Sequence, residues 1–323
     1  MTTLSSRTTY DCAPALDAEQ VLDFCRTGFL RLDGVVSEDV NRLAVTFADR
    51  LGCRLMDPDK TDGNGLDEPV ELFGEAWFVE GVLLNPAVTG AVRSILGPRF
   101  GLPLILSNHR VTTPTGMSAW HHDGDANFDE ETHSLQCFYY PEEARVEDGP
   151  TEILPGSHLW PMQTSPRSME APRKGGRLTT CSAGSVFITD YPILHRRATS
   201  TVVGVRNNFK FNYFRTEAPQ AGRRDWVDSP TFSLQLANFN PSHSLTHFEG
   251  PGTQALKVSA AQLVAKKLFW LMGEPCPPMR GGQAWPLVSA GREWSIATDG
   301  GWGAPEQTAP RRLEGWPPAT ARL

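Results

Sequence analysis

Along this chain the period of apolar positions changes near residue 100. Before that point the spacing is mostly helical. Leu16-Asp-Ala-Glu-Gln-Val-Leu-Asp-Phe-Cys sets apolar side chains three and four apart behind Asp17, which predicts a helix with Asp17 as its N-cap. Gly28-Phe-Leu-Arg-Leu-Asp-Gly alternates like a strand and stops at Gly34. A second helix is predicted after Ser37, with Glu38 and Asp39 in its first turn, running through Val40, Leu43, Ala44 and Phe47. A third over residues 85–96 closes at Gly97-Pro98. Strand-like segments then dominate, at 102–111, 134–140, 151–154, 184–189 and 201–215, separated by turn signals such as Asp148-Gly149 and Pro155-Gly156. A helical layer followed by many short strands predicts a mainly β fold with flanking helices, a sandwich or jelly roll.

The rest of the chain is less periodic. Residues 1–15 read as disordered, and 57–70, with its Asp, Gly and Pro, as a polar loop rather than a calcium site, because EF-hand spacing is missing. Residues 161–177 read equally as a lid over a site or as a surface insertion. After residue 217, Pro, Gly and Trp punctuate a tail with one helical stretch at 260–272. The expected organisation is a single domain over 16–217 and a C-terminal extension, 218–323, packed on it.

Composition narrows the function classes. A net charge of −7 and a pI near 5.6 argue against nucleic acid or an anionic membrane surface as partner, so a small-molecule substrate is expected. No apolar run reaches 18 residues, and the first ten residues lack the apolar centre of a signal peptide, so a cytoplasmic protein is expected. The six cysteines, none in a Cys-x-x-Cys, suggest packed, reduced thiols. Oligomeric state is not encoded in any pattern here.

The candidate chemistry begins at Ser118-Ala-Trp-His-His-Asp-Gly-Asp. In an extended chain, residues two apart share a face, so His121 and Asp123 converge while His122 points away. One further His would complete a two-His, one-carboxylate triad of the kind that leaves positions open on non-haem iron. The choices are His158 on a Pro-Gly turn, His195 after the strand ending near Asp190, and His243 and His247 in the tail. His195 is preferred because it sits between two core strands. On 201–215, Arg206, Asn208, Lys210 and Asn212 alternate with Val205, Phe209, Phe211 and Tyr213. A polar face on a core strand lines a site, and Arg206 is the natural clamp for an anion. Arg110, His122, Asp125, Asn127 and His133 are further polar candidates near the motif.

Trp120-His-His-Asp, then Asp148-Gly-Pro-Thr-Glu-Ile-Leu-Pro-Gly-Ser-His, then His195 followed by Arg206 occur in that order. With the opening Glu19-Gln-Val-Leu-Asp-Phe-Cys-Arg-Thr-Gly-Phe-Leu-Arg-Leu-Asp-Gly-Val-Val, residues 16–215 resemble the phytanoyl-CoA dioxygenase family. The resemblance implies a double-stranded β-helix, Fe(II) held by His121, Asp123 and His195, 2-oxoglutarate as cosubstrate and O2 as oxidant. Arg206 would meet the distal carboxylate, and Asn208, Asn108 and Gln136 could touch the cosubstrate. It further implies hydroxylation of a small molecule, with succinate and CO2 released. Asp123 stands where the family's halogenating relatives carry Gly or Ala, so oxygen insertion rather than chlorination is expected. Arg outnumbering Lys, with abundant Ala, Gly and Pro, points toward specialised bacterial metabolism. The competing reading is a metal-binding jelly roll without redox chemistry: a cupin-like isomerase, a zinc hydrolase or a binding module. Arg206 discriminates, since a hydrolase needs no keto-acid clamp.

Overall fold

Local sequence sets the boundaries of the N-terminal helices. The Asp17 carboxylate accepts from Gln20 N at 2.8 Å while the Gln20 side chain accepts from Asp17 N at 3.0 Å, a reciprocal cap that starts α1 (Ala18–Thr27). The helix ends at Gly28, where φ is +80° and a Cβ would lie 2.4 Å from His158 Nδ1, so only glycine fits. The structure, a computed structural model, describes residues 16–50, 70–123, 130–159, 176–219, 263–264 and 266–273. The predicted loop before Val70, most of 161–177, His243, His247, Asp125, Asn127 and both termini lie outside the described residues.

Strand β1 (Phe29–Leu32) leads to α2 (Glu38–Arg50), whose buried face differs from the expected one. Asn41 is buried and Leu43 is exposed. The reason is a polar contact: Asn41 Oδ1 accepts from Tyr139 Oη at 2.7 Å and its amide donates to Val36 O, so an Asn replaces an apolar residue against the sheet. A single turn, α3 (Ala76–Phe78), runs into a π-turn, Val79–Leu83. Helix α4 (Pro86–Leu96) is capped by Asn85, with proline at its first position.

The strands are β2 (Leu106–Asn108), β3 (Val111–Thr113), β4 (Ser134–Tyr140), β5 (Thr151–Ile153), β6 (Arg177–Leu178), β7 (Ser185–Asp190), β8 (His195–Arg197), β9 (Gly204–Arg206) and β10 (Phe209–Phe214). They form a five-stranded sheet in the order β1-β7-β4-β10-β2 and two small sheets, β3-β9 and β6-β5-β8. Every pairing is antiparallel, as a jelly roll requires. The outer face of the large sheet, with Leu135, Cys137, Tyr139, Phe209, Phe211 and Tyr213, packs on the helical layer in one apolar cluster. Val264, Leu268, Phe269 and Met272 of the C-terminal helical segment belong to the same cluster, and Lys267 reaches Asp190 at 2.9 Å with both side chains buried.

Two predicted strands are each broken in the structure. The expected strand 102–111 is divided into β2 and β3, and 201–215 into β9 and β10, with the halves in different sheets. Both breaks fall at the same level and are stitched by amides. Asn108 Nδ2 donates to Asn207 Oδ1 at 3.1 Å, and Asn108 Oδ1 accepts from Asn208 N at 3.2 Å. Side-chain amides here take over bonds that the ladder would otherwise make. Arg206 therefore belongs to the small sheet, and Lys210 and Asn212 to the large one.

Candidate active site

Between the two layers, the His121 and His195 backbones form an isolated antiparallel bridge, with N–H to O distances of 3.0 and 2.9 Å. Their imidazoles lie 4.4 Å apart, centroid to centroid. His121 Nδ1 contacts Ala119 O at 3.0 Å, and His195 Nδ1 contacts Ile193 O at 3.1 Å. A carbonyl can only accept, so each Nδ1 carries a proton and Nε2 is the nitrogen each ring has left to offer a metal. His195 Nε2 is buried without a partner among the described residues. Burial, followed by the charge of Lys210 and by His121, pushes the His195 pKa down to about 3, so this ring is neutral at physiological pH.

Asp123 completes the set. Its Oδ1 lies 3.9 Å from His121 Nε2 and its Oδ2 lies 3.6 Å from His195 Nε2, and one donor atom from each of the three residues falls within 4.8 Å of the others. Burial alone would raise this carboxyl. Lys210, His195 and hydrogen bonds from Lys210 and Gln136 outweigh burial and hold it far below the usual carboxylate range. Two imidazole nitrogens and one carboxylate, all within 4.8 Å of one another, fit Fe(II) with positions left open. Trp120 and Leu194, each one residue before a His of the set, pack with Leu154 in a small apolar cluster that fixes both segments.

Arg206 is buried, and its Nη1 donates to Gly149 O at 2.7 Å. Its Nε is buried with no partner among the described residues. Burial lowers its pKa from the ordinary arginine value. Asn208 donates to Tyr140 Oη and Thr151 Oγ1, both at 3.1 Å, leaving only its buried Oδ1 unpartnered. An acceptor cannot grip a carboxylate, so Asn208 orients Tyr140 instead. Asn108 is fully engaged in the stitch between sheets. Gln136 Nε2 donates to Asp123 Oδ2 at 2.5 Å, which ties it to the metal site through the carboxylate, while its Oε1 is buried and unpartnered.

Motif reasoning missed two residues. Lys210 was legible as part of a polar face, yet nothing in sequence placed its Nζ 2.5 Å from Asp123 Oδ2. His109, one residue past β2 at the sheet crossing, keeps Nε2 buried and unpartnered; burial, Lys210 and Arg206 push its pKa well below the ordinary value. Other candidates are placed elsewhere. Arg110 pairs with Asp49 at 2.8 Å and His133 with Glu131 at 2.6 Å. His158 is buried beneath Gly28 with Nε2 against Cys25 O at 3.1 Å, outside the metal set.

Solved structures resemble this architecture. HygX from Streptomyces hygroscopicus with nickel and 2-oxoglutarate bound matches 64% of this chain and 90% of its own, at 17% identity and a TM-score of 0.50. AviO1 from Streptomyces viridochromogenes Tue57 matches 65% of this chain and 99% of its own, at 20% identity and 0.48. The non-heme alpha ketoglutarate dependent epimerase SnoN from nogalamycin biosynthesis matches 61% and 79%, at 17% and 0.49. Identities this low speak for fold alone. No curated protein matches the sequence. The family profile described as phytanoyl-CoA dioxygenase matches residues 24–202, more than half of the chain and spanning all three residues of the metal set. With the jelly roll and the convergent donors already in place, that match assigns the chain to the phytanoyl-CoA dioxygenase family.

Proposed function

We propose that this protein is an Fe(II)- and 2-oxoglutarate-dependent dioxygenase that hydroxylates a small molecule in specialised metabolism, releasing succinate and CO2. The observation that carries the reading is the convergence of His121, Asp123 and His195, the last with a buried Nε2 that has no partner among the described residues. Family membership supports it, as does the cosubstrate bound in HygX.

Fe(II) would be held by His121, Asp123 and His195 and, with 2-oxoglutarate and dioxygen, would supply the oxidative chemistry for a substrate C–H bond. The chain's own residues do the rest. His121 and His195 offer Nε2 to the metal, each ring held by its Nδ1–H on a backbone carbonyl. Asp123 supplies the anionic ligand. Arg206 offers two parallel N–H groups to the distal carboxylate while Gly149 O anchors the far side of the guanidinium. Phe138 packs against His195 with ring centroids 5.3 Å apart, which keeps water from that flank. No helix among the described residues is long and apolar enough to cross a membrane, and a cytoplasmic setting is part of the proposal.

The test is cosubstrate turnover. Purified protein with Fe(II), 2-oxoglutarate and air should form succinate slowly, faster with extracts that contain its substrate, and not at all as His195→Ala. Activity supported by zinc without succinate would replace this reading with the hydrolase one.

A further inference from the structure

The Asp123 carboxylate is bound asymmetrically. Its Oδ2 accepts from Lys210 Nζ and from Gln136 Nε2, each at 2.5 Å, whereas Oδ1 accepts from neither; Oδ1 lies 3.9 Å from His121 Nε2 and Oδ2 lies 3.6 Å from His195 Nε2, so both oxygens are within reach of an ion held by the two rings. The two donors reach it from adjacent strands, Lys210 on β10 and Gln136 on β4. Lys210 is largely buried, and its Nζ lies 5.8 Å from the Phe138 ring centroid, so the side chain has little freedom. Among the described residues Asp123 is the carboxylate that Lys210 pairs with. Arg206, His109 and His195, the other groups facing this space, provide no negative charge for it.

A carboxylate can give a metal one oxygen or both. With two imidazoles, a one-oxygen Asp leaves three positions of an octahedron; a two-oxygen Asp leaves two. A chelating keto acid fills two, so only the first case leaves one for dioxygen. We propose that Lys210 is a positioning residue that keeps Asp123 a one-oxygen ligand by occupying Oδ2. This inference rests on the oxygenase reading. The charge-assisted bond from the ammonium is stronger than the neutral amide bond of Gln136, so Gln136 alone does not hold Oδ2 away from a divalent ion. The ammonium also repels that ion, so the arrangement lowers metal affinity while keeping the coordination sphere open.

These two effects predict changes of opposite sign on removing Lys210, which a merely structural role does not. The experiment uses the full chain, anaerobically, with Co(II) as metal and visible absorption as readout, followed by titration of 2-oxoglutarate. Lys210→Met should bind Co(II) about tenfold more tightly, because a repelling charge is gone. Its Co(II) bands should change in shape and intensity with the new coordination. The loaded variant should bind 2-oxoglutarate at least about tenfold more weakly, because Oδ2 now competes for a position. Lys210→Arg, which restores a charged donor, should return all three readouts toward wild type. Far-UV circular dichroism and the melting temperature identify a variant that has not folded, and Lys210→Gln, which is polar and of similar length, then carries the same comparison. Weaker or unchanged Co(II) binding overturns the proposal, and so does tighter Co(II) binding with unaltered spectrum and cosubstrate affinity, which would make Lys210 a counter-ion only. If wild type binds Co(II) but no 2-oxoglutarate, the oxygenase reading falls and the role of Lys210 falls with it. If wild type binds both and Lys210→Met matches it, only the role of Lys210 falls.

Discussion

Arg206→Lys is the perturbation that most sharply probes the cosubstrate clamp. The guanidinium is fixed by Nη1 on Gly149 O at 2.7 Å, and its Nε is buried and unpartnered among the described residues; the proposed clamp uses the Nε–Nη2 edge for two parallel bonds to a carboxylate. Lysine keeps the positive charge. It loses the planar fork, the anchor on Gly149 and one of the two bonds to the ligand. A hydrogen bond to a charged group contributes about 1.5–3 kcal/mol. At about 1.4 kcal/mol per tenfold, the dissociation constant for 2-oxoglutarate should rise about 10- to 100-fold. The assay is an anaerobic titration of 2-oxoglutarate into Fe(II)-loaded protein, followed by calorimetry or by the metal-to-ligand charge-transfer absorption. Fe(II) affinity, measured separately, should be unchanged, since Arg206 is not one of the three donor residues. A 2-oxoglutarate affinity within threefold of wild type would refute the reasoning and move the clamp to another cation.

Three further outcomes follow from other parts of the structure. Lys267→Met should destabilise the fold by about 3–5 kcal/mol in a denaturant titration, because it leaves the buried Asp190 carboxylate without its cation; a change under about 1 kcal/mol contradicts the buried pairing. His158, fully buried and pushed down to about 4 by burial, binds its proton more weakly folded than unfolded. The unfolded ring titrates near 6.5, so this stability is complete above about pH 6.5 and declines, by roughly 3 kcal/mol, as the pH falls to about 4. His158→Gln should therefore show a flatter pH dependence of unfolding between those limits, and an unaltered slope contradicts the assignment. With the native substrate, mass spectrometry after turnover in labelled dioxygen and saturating chloride should show a gain of one labelled oxygen, because the Asp123 carboxylate stands where a halogenating relative keeps a small residue; a chlorinated product refutes this.

Local patterns were legible wherever one residue's chemistry decides the structure. Asp17 with Gln20 announces the cap of α1, and the alternation of Phe209, Phe211 and Tyr213 announces a strand with one face on the core. The order Trp120-His-His-Asp, His195, Arg206 carried the family and the metal set. What the sequence did not disclose depends on contacts between distant segments. The break at Asn207 and Asn208 is invisible in strand propensity, because Asn108, on a different strand, supplies the amide that replaces the ladder there. Asn41 looks like a surface residue until Tyr139 is brought to it. Lys210 could be assigned to a polar face by period, but its partner Asp123 lies 87 residues earlier and is met only once β4 and β10 are paired.

The central claim is that His121, Asp123 and His195 hold iron in a form that chelates 2-oxoglutarate. Anaerobic addition of Fe(II) and then 2-oxoglutarate, followed by visible absorption, tests it most directly. Wild type should develop a weak charge-transfer band only when both are present. His195→Ala should not, because one of the three ligands and much of the site's metal affinity are gone. A folded His158→Gln should retain the band. No band in wild type, or a band that survives His195→Ala and disappears with His158→Gln, would contradict the account.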